Sequence, residues 1–131
     1  MTIKEETGCH GSRGAKEEFF NNVGYAIQFD STENDTMSLS LMGTQLFEQD
    51  SEFFNKTKGL ILEHGFTEWR HHPYTDTMVL KERFNFSCLN FAAGYYNYHS
   101  DNEYVIVEDV LNSTLLGESV IKELGNEFYE F

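Results

Sequence analysis

Between Glu17 and Asn55 this sequence has no Lys or Arg, against eight acidic residues. Between Phe84 and Phe131 a single Lys122 stands against eight more. These two gaps in positive charge dominate the formal net charge of −13 over 131 residues. A surface so short of cations repels phosphate backbones and anionic membranes, and it attracts cationic partners. Direct nucleic-acid binding and membrane association are therefore not expected.

Other absences narrow the reading further. No apolar run approaches the roughly 18 residues of a membrane span. Met1–Lys16 has no apolar stretch of the kind that marks a secretory leader. Two cysteines, Cys9 and Cys88, are too few for a disulfide framework, and both are expected as thiols in a reducing cytoplasm. The Asn-x-Ser/Thr triplets at Asn34, Asn55, Asn85 and Asn112 carry no weight without an export route.

Chemical motifs are also missing. A structural or catalytic zinc needs three or four convergent ligands, and no His-x-x-x-His or Cys-x-x-Cys spacing occurs. His71 and His72 are adjacent, which on a strand sends their side chains to opposite faces. Gly8, Gly11 and Gly14 match neither phosphate-binding nor dinucleotide-binding glycine spacing. No metal, cofactor or catalytic residue is assigned on these grounds.

What the chain does have is apolar bulk. Twelve Phe, seven Tyr and one Trp make 15% of it aromatic, and 40% is hydrophobic. Each buried ring removes a large apolar area from water, so the chain is expected to fold despite its charge. At this length one domain is the natural size. Residues 1–16 are polar and aperiodic and read as a flexible N-terminal arm, leaving 17–131 as a single α+β domain.

Within that domain Val23–Phe29 and Met37–Leu41 alternate apolar and small or polar residues, as half-buried strands do, and Asp30–Asp35 between them suits a hairpin loop. Asp50 or Ser51 offers an N-cap, Glu52 suits the positive end of a helix dipole, and Gly65 makes a stop. A helix is expected at about 51–64. Phe66–His71 and Asp76–Arg83 read as strands around a turn at Pro73-Tyr74. Phe84–Ala93 is too short an apolar run to separate strand from helix. Tyr95–Tyr98 and Tyr104–Val107 form the best hairpin candidate, with its turn at Ser100–Asn102. Leu115, Leu116, Val120, Ile121 and Leu124 mark a second helix at about 111–124. The expected architecture is a mostly antiparallel sheet of five or six strands with two helices.

The functional expectation follows from charge and aromatics together. Glu48, Asp50 and Glu52 cluster before the first helix. Asp101, Glu103, Glu108 and Asp109 flank the Tyr104–Val107 strand, with Tyr95, Tyr96 and Tyr98 beside it. Carboxylates steer a cationic partner, and rings supply the contact that holds it. The chain thus reads as a non-enzymatic, cytoplasmic, immunity-type inhibitor that occludes a basic protein, such as a nuclease toxin or a defence nuclease. Against this stands a plainer possibility, that the tyrosines ladder across the sheet and the carboxylates only solvate it. The alternative function is a small enzyme or ligand-binding domain with an aromatic-lined pocket, using His71, His72, His99 or Cys88. A structural subunit is a third possibility, and it would show as a large apolar patch or a stable homo-oligomer.

Overall fold

A computed structural model describes residues 8–41, 43–72 and 75–131, with Leu41 and His72 described by backbone only. The chain forms a single α+β domain with four α-helices and seven strands among these residues. In chain order they are α1 (His10–Gly14), β1 (Tyr25–Ser31), β2 (Thr36–Leu41), β3 (Thr44–Gln45), α2 (Glu52–Glu63), β4 (Glu68–His72), α3 (Asp76–Arg83), β5 (Ser87–Ala92), β6 (Tyr95–Tyr96), β7 (Tyr104–Val105) and α4 (Val107–Leu124). A 3₁₀ turn spans Glu17–Phe20.

β5 is the hub of the main sheet. All six of its residues are buried. It runs parallel to β1, from Tyr25 opposite Ser87 to Phe29 opposite Phe91. On its other side Met37 of β2 pairs antiparallel with Phe91. β2 also pairs antiparallel with β3 and parallel with β4. The expected hairpin between Val23–Phe29 and Met37–Leu41 is therefore not formed, because β5 lies between its two arms. The physical reason is burial: β5 has no charged residue and is suited to a strand covered on both faces, and it displaces the direct pairing.

Alternation along β1 and β5 sends side chains to two covered faces. Phe29 and Phe91 meet on one face, with ring centroids 5.6 Å apart. Phe29 is covered there by Gly117 of α4, where an added Cβ would lie 2.9 Å from the ring. On the opposite face Gln28 accepts a hydrogen bond from the Thr77 N–H of α3 at 3.0 Å. α2 and α4 thus lie on one side and α3 on the other. Phe47, Phe53, Phe66, Phe91, Leu89, Leu116 and Leu124 are among the fully buried side chains.

The α2 ends follow the sequence signals. Ser51 Oγ accepts the Phe54 N–H at 3.3 Å. At the other end Gly65 has φ +81°, Gly65 N–H reaches Leu62 O and Phe66 N–H reaches Ile61 O, the paired bonds of a Schellman stop. α4 begins at Val107, four residues before the expected start, with Glu108 and Asp109 in its first turn. This shortens the predicted Tyr104–Val107 strand to Tyr104–Val105.

Asp76–Arg83, expected as a strand, is the helix α3. Asp76 lies in its first turn and Lys81 and Arg83 in its last, the charge order that a helix dipole favours. Eight residues were too few for the helical period to show. Of the expected N-terminal arm, residues 1–7 lie outside the described residues. Residues 8–16 carry α1, held against α3 by Arg83, whose guanidinium donates to the carbonyls of Ser12, Arg13 and Ala15. The expected turn at Pro73-Tyr74 also lies outside the described residues. Among the described residues no helix is long and apolar enough to cross a membrane.

Candidate functional site

The predicted aromatic hairpin forms as a short ribbon. Tyr95 pairs with Val105 and Tyr96 with Tyr104. The Tyr96 and Tyr104 rings stack across the strands, 5.2 Å apart and 13° from parallel. Gly94 seats this ribbon on the main domain. Its φ is +77°, and a Cβ there would lie 2.8 Å from the Val110 backbone nitrogen, so the approach of the ribbon to α4 needs glycine. Asn97 and His99 both adopt left-handed φ, and the turn they form lifts Tyr98 into solvent, where it is 56% exposed. An open cleft of about 580 Å³ lies between the β1–β2 turn and the ribbon, lined by Thr32, Glu33, Tyr96, Asn97, Tyr98, Ser100 and Asn102.

The carboxylates around the ribbon play unequal parts. Asp109 accepts hydrogen bonds from Tyr96 Oη at 2.6 Å and from Asn34 Nδ2 at 3.0 Å. Burial first, and then this contact with Asp109, push the Tyr96 phenol up to about 12. Burial likewise raises Tyr95, with Asp30 and Glu103 adding to it. Glu103 accepts the His99 N–H at 3.0 Å and closes the turn. Asp101 and Glu108 are exposed. Tyr96 and Asp109 therefore hold the ribbon in place, whereas Tyr98, Tyr104, Asp101 and Glu108 face outward.

Glu48, Asp50 and Glu52 form a separate patch. Glu48 O and Asp50 O accept hydrogen bonds from Ser51 and Asn55, and Glu52 pairs with Lys56 at 2.9 Å. α2 and α4 run in opposite directions. His64, just past the end of α2, bonds Asn112 near the start of α4 at 2.9 Å. At the other end Lys56 reaches Tyr129 Oη, which donates to Leu124 O. The 12-residue α2 is about 18 Å long, so the two acidic groups sit at opposite ends of the helix pair. The ten candidate residues do not form one surface.

The residues considered for a pocket enzyme are also dispersed. Cys88 is fully buried in β5, and burial pushes its thiol up to about 12 despite nearby Lys81. A thiol so held is inert, because the thiolate is the nucleophile. His99 sits on the exposed ribbon turn, and the structure does not bring it to Cys88. His71 Nδ1 lies 2.6 Å from Ser40 Oγ, a consequence of the β2–β4 register that places these residues opposite each other. Ser40 is itself buried, so this contact serves the sheet. The side chain of His72 lies outside the described residues. No cluster of three or more His, Cys, Asp or Glu able to hold a metal occurs among the described residues.

One feature escaped the sequence reading. Leu115 and Ile121 belong to the apolar set that marks the second helix, yet both are exposed. The buried face of α4 is Ser113, Leu116, Gly117, Val120 and Leu124. Its usable signal was the small pair Ser113 and Gly117 one turn apart, which lets the helix approach the sheet closely. Apolar residues left over then fall on the outer face.

Comparison with protein-family models, with curated proteins and with solved structures gives no match.

Proposed function

We propose that this chain is a non-enzymatic, cytoplasmic inhibitor that binds and occludes a basic protein, of the kind that handles nucleic acid. The observation that carries this reading is the uncompensated negative charge of −13. Among the described residues, ion pairs engage Glu33, Glu52 and Glu118, leaving Asp101 and Glu108 exposed to steer a cationic partner. Beside them the exposed Tyr98 and Tyr104 provide rigid rings of the type that anchors protein interfaces. In this mechanism the carboxylates pair with Lys and Arg that would otherwise meet phosphates, and the rings fill shallow pockets on the partner.

Burial of Cys88 removes one group on which a pocket enzyme would have relied. His99 lies exposed on the ribbon turn, away from the buried Cys88.

The test is affinity capture from the native host at low and at high salt, followed by titration of the captured protein's nuclease activity with this chain. One stoichiometric basic partner, released by salt and inhibited on titration, is the expected outcome. A complex insensitive to salt, or a partner whose nucleic-acid cleavage is unchanged by saturating inhibitor, would overturn the reading.

A further inference from the structure

α4 uses only one of its two apolar faces inside the domain. Leu116, Val120 and Leu124 are sealed against the sheet, and Gly117 brings the helix into contact with Phe29. That face completes the core. The outward face nevertheless carries Val107 at 71% exposed, Leu111 at 56% and Leu115 at 45%, spaced one helical turn apart. Val105, also exposed, leads into this stripe from the ribbon. A contiguous apolar stripe on an otherwise strongly charged molecule marks an interaction surface.

Charge selects the occupant. Asp101, Glu103 and Glu108 lie at the ribbon end of the stripe, and Glu118 follows it. The one cation on α4, Lys122, is paired with Glu118 at 3.6 Å. A second copy packed here would set like charges against each other. A helix with an apolar face flanked by Lys and Arg would satisfy both the stripe and its rim. We infer that the outer face of α4 is the docking site for an amphipathic basic helix of the partner protein. This rests on the inhibitor reading above and names the surface and the partner element through which it acts. Val107, Leu111 and Leu115 supply the contact, and the carboxylates set register and on-rate.

Two synthetic peptides of identical Leu and Lys composition test this directly. One places its Leu on a single helical face; the other is scrambled so that no face is apolar. Each is titrated into the labelled full chain while backbone amide shifts are followed. The amphipathic peptide is expected to shift amides over 104–118 and to bind at least about tenfold more tightly than the scrambled one. The double substitution Leu111→Gln with Leu115→Gln should erase that difference, and Glu48→Gln with Asp50→Gln should leave it intact. Both changes are at exposed positions, and the wild-type shift map stands independently of either. Equal, salt-sensitive binding of both peptides would remove the α4 site while leaving the charge-based reading in place. If neither peptide binds at low salt, both proposals fall together. A homodimer in sedimentation that is lost in the Leu111→Gln, Leu115→Gln chain would assign the face to a second copy and overturn the basic helix.

Discussion

The Tyr96 hydroxyl donates to Asp109 Oδ2 at 2.6 Å and ties the ribbon to the first turn of α4. Asp109 also accepts from Asn34, so ribbon, helix and the turn between β1 and β2 meet at one carboxylate. The outward tyrosines and the α4 stripe depend on this junction for their relative placement.

Removing the hydroxyl tests the junction. Tyr96→Phe should cost about 1 kcal/mol at neutral pH, the usual net worth of one hydrogen bond. Burial and Asp109 raise the phenol from 10.0 to about 12 in the folded chain. A group whose folded pKa is raised contributes stability that is complete below its unfolded value, here about 10, and lost as pH climbs through about 12. Urea titrations of both proteins between neutral pH and pH 12 should show the gap closing over the alkaline window. Tyr25 and Tyr95 are raised too, but they are common to both proteins and cancel in the difference. A gap that stays constant across the window would assign the junction to packing alone.

Two glycines should respond with opposite signs to the same substitution. Gly94→Ala puts a Cβ 2.8 Å from Val110 N at φ +77° and should destabilise by about 1–3 kcal/mol. Gly59→Ala, in the exposed interior of α2 with nothing within 4 Å of its Cβ, should stabilise by about 0.5–1 kcal/mol. Denaturant midpoints read both. Gly94→Ala should also broaden the amide signals of Tyr95–Val105, whereas Gly59→Ala should leave them unchanged.

These elements show why parts of the architecture were legible in the sequence and parts were not. α2 was readable because both its ends carry local chemistry: Ser51 caps an N–H, and Gly65 takes the positive φ of the stop. The ribbon was readable because a polar turn separates a tyrosine-rich run from the β-branched run Tyr104–Val107. α3 was not, since Asp76–Arg83 is too short for the helical period to separate from alternation, and its charge order, Asp76 early with Lys81 and Arg83 late, was its one local sign of a helix. Strand order was not readable either. Alternation decides which face a residue occupies and is silent on which strand lies beside it, so the insertion of β5 between β1 and β2 left no local trace.

The candidate surface divides in the same way. Asp101 was readable as exposed because it lies in the polar turn Ser100–Asn102, whereas Glu108 was expected beside a strand and its place in the first turn of α4 had no local sign. The separation of Glu48, Asp50 and Glu52 from them depends on α2 and α4 running in opposite directions, a tertiary fact. The α4 stripe was masked by its own helix, because Leu115 and Ile121 lie close in sequence to the true core residues Leu116 and Val120.

Asn90 supplies a further test, of what holds the β1–β5–β2 register. Fully buried in β5, it donates to Ser38 Oγ at 3.0 Å and Ser31 Oγ at 3.4 Å, and accepts the Asp30 N–H at 3.1 Å. It thereby links one side chain to both neighbouring strands. Asn90→Leu removes all three bonds while adding bulk among serines, and should cost about 3 kcal/mol in urea unfolding. A near-neutral result would mean that apolar packing alone sets the register.

Arg83 makes the last prediction, about how the N-terminal segment is held. Its guanidinium gathers three carbonyl oxygens from Ser12, Arg13 and Ala15, and Cys9 lies buried just upstream. These three bonds tie the segment to α3 through one side chain, so its local opening should depend on Arg83. Arg83→Leu keeps apolar bulk but removes every donor. Labelling of Cys9 by a thiol reagent should then quicken at least about tenfold, with tryptic cleavage after Arg13 and Lys16 rising in parallel. Cys88 serves as the internal control: it sits in the central strand and should react only at the rate of global unfolding. Faster labelling of both thiols together would show that Arg83 stabilises the whole domain. Faster labelling of Cys9 alone would show that it clamps the segment.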